Sequence, residues 1–173
     1  MNASDRIAVR DSTKIQMSES AEKPRIAIGA DHAGYHAKEV IKRYLLEQGY
    51  PIEDLGTWSD ESVDYPDYAK KVAERVVKGE DQFGVLVCGT GIGMAIAANK
   101  VEGIRAAVAH DAATAHLARE HNDANVLTLG GRVVNDAQAV EIAKEFLATN
   151  FAGGRHQRRI DKITELDGER VKK

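Results

Sequence analysis

The sequence predicts an α/β fold, a five-stranded parallel sheet covered by helices on both faces as a three-layer α/β/α sandwich. Three observations predict it. From Arg25 onward, short apolar runs alternate with longer amphipathic ones, the pattern of repeated strand–helix units. Two of the apolar runs end in glycine-rich turns, Gly29-Ala30-Asp31-His32-Ala33-Gly34 and Cys88-Gly89-Thr90-Gly91-Ile92-Gly93, as happens where a strand of an open sheet delivers its chain to a ligand. Finally, 173 residues with 43% hydrophobic and 29% charged side chains suit one domain around a single substantial core.

Residues 1–24 mix charges and small polar side chains without periodicity, and Pro24 closes them off. They read as a disordered N-terminal extension, which leaves residues 25–173 as one domain. The first strand is expected at 25–30 and the first helix at 34–48. In that helix Val40, Ile41, Tyr44 and Leu45 make the face toward the sheet, while Lys38, Glu39, Lys42 and Arg43 take the other side. Gly49 stops the helix and Pro51 keeps it from running into the second strand at 51–54. A helix at 66–78 leads to the third strand, Phe83-Gly84-Val85-Leu86-Val87-Cys88, and to a helix at 92–100. The remaining units are a strand at 104–109, a helix at 111–121, a strand at 125–129 and a helix at 136–149. Arg155 to Leu166 carries Ile160, Ile163 and Leu166 at intervals of three, a short docking helix whose other face is rich in arginine.

Charge and composition exclude several roles. A net charge of −3 argues against non-specific nucleic-acid binding, which needs a strongly basic surface. The apolar runs fall well short of the ~20 residues that a membrane span requires, and the N-terminus lacks the apolar core of a signal peptide. One cysteine makes no internal disulfide and no cysteine-rich zinc site, so the chain reads as soluble and cytoplasmic. No histidines and acids share a spacing that would hold a metal.

Cys88 stands at the mouth of the glycine turn, where converging backbone N–H groups favour the charged form of a neighbouring thiol. Asp31 and His32 sit at the corresponding point after the first strand; an aspartate there is also a natural helix cap. The glycines at 89, 91 and 93 depart from a dinucleotide fingerprint, which wants its third glycine where Met94 stands. Asp111, 22 residues after Gly89, lies near the spacing of a ribose-binding acid and keeps a nucleotide-binding module open as an alternative. A Walker A motif is absent. His121, Asn122 and Asp123 form a polar cluster at the end of a helix, Gly130-Gly131-Arg132 repeats the strand-then-glycine pattern, and Gly153-Gly154-Arg155-His156-Gln157-Arg158-Arg159 gathers arginines whose forks match phosphate oxygens.

These motifs, with Gly56-Thr57, Asp64-Tyr65-Pro66, Ala97-Ala98-Asn99-Lys100, Gly103-Ile104-Arg105-Ala106 and His121-Asn122-Asp123-Ala124-Asn125-Val126, together resemble the type B ribose-5-phosphate isomerases over about residues 25–166. The resemblance implies a Rossmann-like sandwich that interconverts ribose 5-phosphate and ribulose 5-phosphate without metal or organic cofactor. It also implies a homodimer or dimer of dimers whose active sites draw residues from two subunits. Carried onto this chain, Cys88 is the base that moves the C2 proton to C1, assisted by Thr90, with the backbone of Gly89, Gly91, Ile92 and Gly93 around the enediolate oxygens. His121 opens the furanose ring. Asp31 and Asn122 bind hydroxyls, and His32, Arg132, Arg155 and Arg159 gather around ligand oxygens and the phosphate. One branch of the family uses a glutamate just after the last glycine; Met94 stands there, which places this chain in the cysteine branch. A six-carbon phosphosugar such as allose 6-phosphate is the neighbouring alternative, separated by pocket depth rather than by motif.

Overall fold

The computed structural model describes residues 22–170. Five strands form one parallel sheet: β1 (Ile26–Ala30), β2 (Ile52–Asp54), β3 (Phe83–Cys88), β4 (Ala106–Val108) and β5 (Val126–Gly130), in the spatial order β2-β1-β3-β5-β4. The chain lays β2 on one side of β1 and every later strand on the other, so the connections diverge between β1 and β3. That divergence opens a crevice outside the carboxyl ends of those two strands. Register brings the ends level, with Ala30 opposite Val87 and Cys88 opposite Gly130.

Alternation along the strands divides the core in two. Ile26, Ile28, Val85, Val87, Leu127 and Leu129 face α1 (Tyr35–Glu47), α4 (Ala112–Asn122) and α5 (Asp136–Ala148). Ala27, Leu86, Cys88 and Val126 face α2 (Tyr65–Val77) and α3 (Ile92–Ala98). Because both faces are covered, the strands read in sequence as continuous apolar runs instead of alternating ones. A 3-10 turn at Gly154–His156 leads into α6 (Gln157–Arg170). No helix among the described residues is long and apolar enough to cross a membrane.

The structure differs from the sequence reading at four places. Lys38 is not on the solvent face of α1: its side chain is fully buried, with its ammonium 2.7 Å from Asp54 Oδ1 and 3.0 Å from Glu39 Oε1. A lysine inside the apolar arc is stable there only because carboxylates meet it. Second, β4 pairs only over Ala106–Val108, since the Arg105 N–H donates to the Asn125 side chain at 2.8 Å instead of joining the ladder. Third, the docking helix runs Gln157–Arg170 and buries one residue of its apolar stripe: Ile160 is 5% exposed, whereas Ile163 and Leu166 are 41% and 55% exposed. Finally, residues 1–21 of the expected extension lie outside the described residues, and Lys23 is placed against the body, 4.5 Å over the Tyr50 ring and bonded to the Gln48 carbonyl.

Candidate active site

The end of β3 and the loop after it set the centre of the site. Gly91 has φ +81°, a left-handed conformation that glycine adopts without strain. The bend turns its N–H back onto Cys88 Sγ at 3.1 Å. Cys88 is 4% exposed, so a sulfur with a fixed donor lies at the bottom of the crevice. The Ile92 N–H is turned onto Thr90 Oγ1 at 3.3 Å. Two backbone donors of the Gly89–Gly93 run thus serve the side chains of Cys88 and Thr90 in this state of the protein.

Loops after β1 and β5 close against the same turn. The N–H groups of Gly131 and Arg132 donate to the carbonyls of Cys88 and Gly89 at 2.8 and 3.1 Å. The Arg132 side chain runs over Gly89, where a methyl group would lie 3.5 Å from its Cδ. Gly34 allows the β1 loop to approach: a Cβ there would stand 2.2 Å from the Val87 carbonyl oxygen. Asp31, buried, accepts the Gly34 N–H at 2.9 Å through Oδ1, and Gly34 itself caps α1, so the aspartate closes the turn before the helix and does not cap the helix directly. His32 Nδ1 accepts the Val63 N–H at 3.2 Å, with the Val63 carbonyl at 3.3 Å. A backbone amide always carries its proton, so Nδ1 is the acceptor and Nε2 carries the imidazole hydrogen. His32 lines a cavity of about 520 Å³ with Ala33, Tyr35, Trp58 and Asp60.

His121, Asn122, Arg155 and Arg159 are elsewhere. Helix α4 runs back against the strand direction and ends at Asn122, beside the starts of β4 and β5. Arg105 Nε donates to the carbonyls of Asn122 and Asp123, and the Gly84 N–H at the start of β3 donates to the Asn125 carbonyl. Cys88 lies at the other end of β3, four residues beyond Gly84 and so about 13 Å away at ~3.3 Å per residue. At this amino edge the His121 ring lies flat on His156, centroids 4.3 Å apart, and the Ala152 N–H donates to the Glu120 carbonyl, which brings the arginine-bearing turn to the end of α4. Asn122 opens on a cleft of about 230 Å³ with Asn99, Ile104, Arg105 and Ile163. Burial, then the neighbouring His121, Arg155 and Arg159, holds the His156 pKa below its ordinary value. One chain therefore presents two groups of site residues, at opposite edges of its sheet.

Other candidates resolve as structure. Asp111 accepts the Thr114 N–H at 2.7 Å and the Thr114 hydroxyl at 2.8 Å in a capping box at the start of α4. Those bonds occupy the carboxylate that the nucleotide alternative needs for ribose, and they lower its pKa. Met94 is fully buried in the core. Among the described residues no three His, Cys, Asp or Glu side chains converge as a metal site. Sequence reasoning missed a support of the site, the network in which Asp54 holds Lys38, Lys42 and the Gly56 N–H at 2.7, 2.7 and 3.0 Å. Gly56 and Thr57 in turn pair with Ala30 at the end of β1, the step before Asp31. The available signal was a lysine between Ala37 and Ile41, inside the arc that helical periodicity buries.

Comparison with known proteins identifies the family. The sequence profile of the family described as Ribose/Galactose Isomerase matches residues 26–163. Ribose-5-phosphate isomerase B of Escherichia coli (strain K12) is 47% identical over 146 residues, 84% of this chain and 98% of that protein. A putative sugar phosphate isomerase of Bacillus subtilis (strain 168), YwlF, is 52% identical over 144 residues, 83% and 97% of the two chains. Among solved structures, ribose-5-phosphate isomerase B of Clostridium thermocellum superposes with a TM-score of 0.83 at 50% identity, covering 84% of this chain and 98% of its own. That of Mycoplasma genitalium, solved with bound ribulose-5-phosphate, gives 0.81 at 46% identity, covering 84% and 97%. With a thiol at the switch point of a five-stranded parallel sheet and a family match running from the first strand into the last helix, the chain belongs to the ribose/galactose isomerase family.

Proposed function

We propose that this protein interconverts D-ribose 5-phosphate and D-ribulose 5-phosphate, with Cys88 as the base. The observation that carries the reading is the Gly91 N–H on Cys88 Sγ at the β1/β3 crevice, beside the buried Asp31. In the forward direction the thiolate takes the C2 proton of the open-chain aldose while the C1 carbonyl oxygen receives the electron pair, giving an enediolate. Return of that proton to C1, with transfer of the O2 proton to O1, leaves the carbonyl at C2. Thr90 and the Gly89–Gly93 backbone offer donors to the oxygens on which charge develops, the interaction that most lowers such barriers. His121 serves the preceding ring opening, since an imidazole can both accept and donate a proton at its ring nitrogens. Asp31, His32 and Asn122 hold hydroxyls, and Arg132, Arg155 and Arg159 hold the phosphate.

The separation of the two residue groups supports a homodimer with shared sites. Cys88, Asp31 and His32 from one chain meet His121, Asn122, Arg155 and Arg159 from another, since one chain holds them at opposite sheet edges. The exposed Ile163 and Leu166 on α6 give a second copy an apolar surface to cover. A catalytic thiol that must stay reduced suits the cytoplasm. Ribose 5-phosphate turnover by wild type and Cys88→Ala, both in EDTA, tests the reading: it requires activity in the first and a loss of at least about 100-fold in the second, and an inert wild type refutes it.

A further inference from the structure

The end of α4 carries more chemistry than the reading above uses. Glu120 Oε2 lies 3.1 Å from His121 Nε2 and 3.5 Å from His116 Nε2, so one carboxylate spans two imidazoles. His116 Nδ1 is bonded in turn to Glu145 Oε1 on α5 at 2.8 Å, an oxygen that also accepts the Thr149 hydroxyl at 3.2 Å. A continuous line, Glu145, His116, Glu120, His121, His156, therefore joins α5, α4 and the 3-10 turn. Its anchored end fixes Glu120, and its other end holds His121 at one edge by the carboxylate and on one face by the His156 ring.

From this geometry we infer that Glu120 is the positioning residue of His121, an assignment that rests on His121 being the ring-opening group. A carboxylate 3.1 Å from Nε2 favours the tautomer with its hydrogen on that atom and leaves the Nδ1 lone pair to accept a proton. Opening the furanose breaks the bond from C1 to the ring oxygen, forms the C1 carbonyl, and moves a proton from O1 to the ring oxygen. An imidazole held in one tautomer takes the first proton at Nδ1 and returns it a short distance away. The charge setting makes the carboxylate matter. His116 on the same helix contacts Glu120, the His156 ring stacks on His121, Arg155 and Arg159 act on His156, and Glu120 is the acid in contact with His121. Glu145 anchors the line further: its hydrogen bond to His116 raises that imidazole's pKa.

Glu120→Gln keeps the size and removes the charge. In the full-length protein, NMR titration of the His121 ring, assigned by its loss in His121→Asn, is expected to show the pKa lowered by about 0.5 to 1 unit. Turnover of ribose 5-phosphate is expected to fall about three- to tenfold in kcat with KM changed less than about twofold. Glu120→Asp, which keeps the charge, is expected to recover part of both. An unchanged His121 titration in folded Glu120→Gln overturns the assignment, as does a loss of kcat without any change in that titration. The titration needs no substrate, so it decides the role of Glu120 even if the wild type fails to turn over ribose 5-phosphate, a failure that counts against the proposed function alone.

Discussion

Cys88 is the one thiol of the chain, and its neighbourhood determines what its loss does. Met94, at the place where a glutamate serves as base in one branch of the family, is fully buried among apolar side chains and cannot take a proton. Cys88→Ala is therefore expected to lower kcat by about 10²- to 10⁴-fold while leaving the arginines to bind the phosphate. Steady-state turnover and calorimetric titration with ribose 5-phosphate separate the two effects. Gly34 governs the approach of the β1 loop. In Gly34→Ala the new methyl meets the Val87 carbonyl at 2.2 Å, backbone that cannot rotate away. We expect a loss of about 2 to 4 kcal/mol, read from the urea midpoint. Both positions were visible in the sequence as glycine turns after apolar runs. That the Gly91 N–H, at the N-cap of α3, turns back onto Sγ was not, because it depends on one left-handed residue.

Among the elements, α1 and β2 are joined by charge inside the fold. The Lys38 ammonium is fully buried against Asp54 and Glu39, so Asp54→Asn leaves the buried cation to Glu39 alone and is expected to cost about 3 kcal/mol, measurable by thermal or urea unfolding. The pair also has a pH signature. Burial works to raise the Asp54 pKa, but hydrogen bonds from Lys38, Lys42 and the Gly56 N–H outweigh it and hold the group below its ordinary 3.8. Its contribution is then complete above about pH 4 and lost as pH falls through the lower folded-state value. His116 has the opposite sign. The Glu145 hydrogen bond raises its pKa above 6.5, so its contribution is complete below that value and lost as pH rises through the folded one. Helical periodicity placed Ile41 and Leu45 inside correctly and Lys38 outside incorrectly, since a pattern of apolar residues carries no information about a carboxylate arriving from the next strand. The apolar stripe of α6 was equally legible, yet only Ile160 of it is buried.

On the scale of the whole molecule, the five parallel strands and the family's motifs could be read from the sequence, and so could the residue types that handle a sugar phosphate. The distance between them could not. His121 and Cys88 are 33 positions apart in sequence and sit at opposite edges of the sheet, because α4 returns against the strands before it ends. Under the proposed function, a working site draws on two copies of the chain. Co-expression of Cys88→Ala with His121→Ala tests this directly. Each variant alone lacks one member in every site and is expected to be inactive. In a mixed dimer the two defects fall in one shared site and leave the other complete, so random pairing in an isologous dimer predicts about a quarter of wild-type turnover of ribose 5-phosphate. Recovery to that level establishes Cys88 and His121 as partners across the interface; a mixture as inactive as its parents, with mixed dimers shown to be present, contradicts the account.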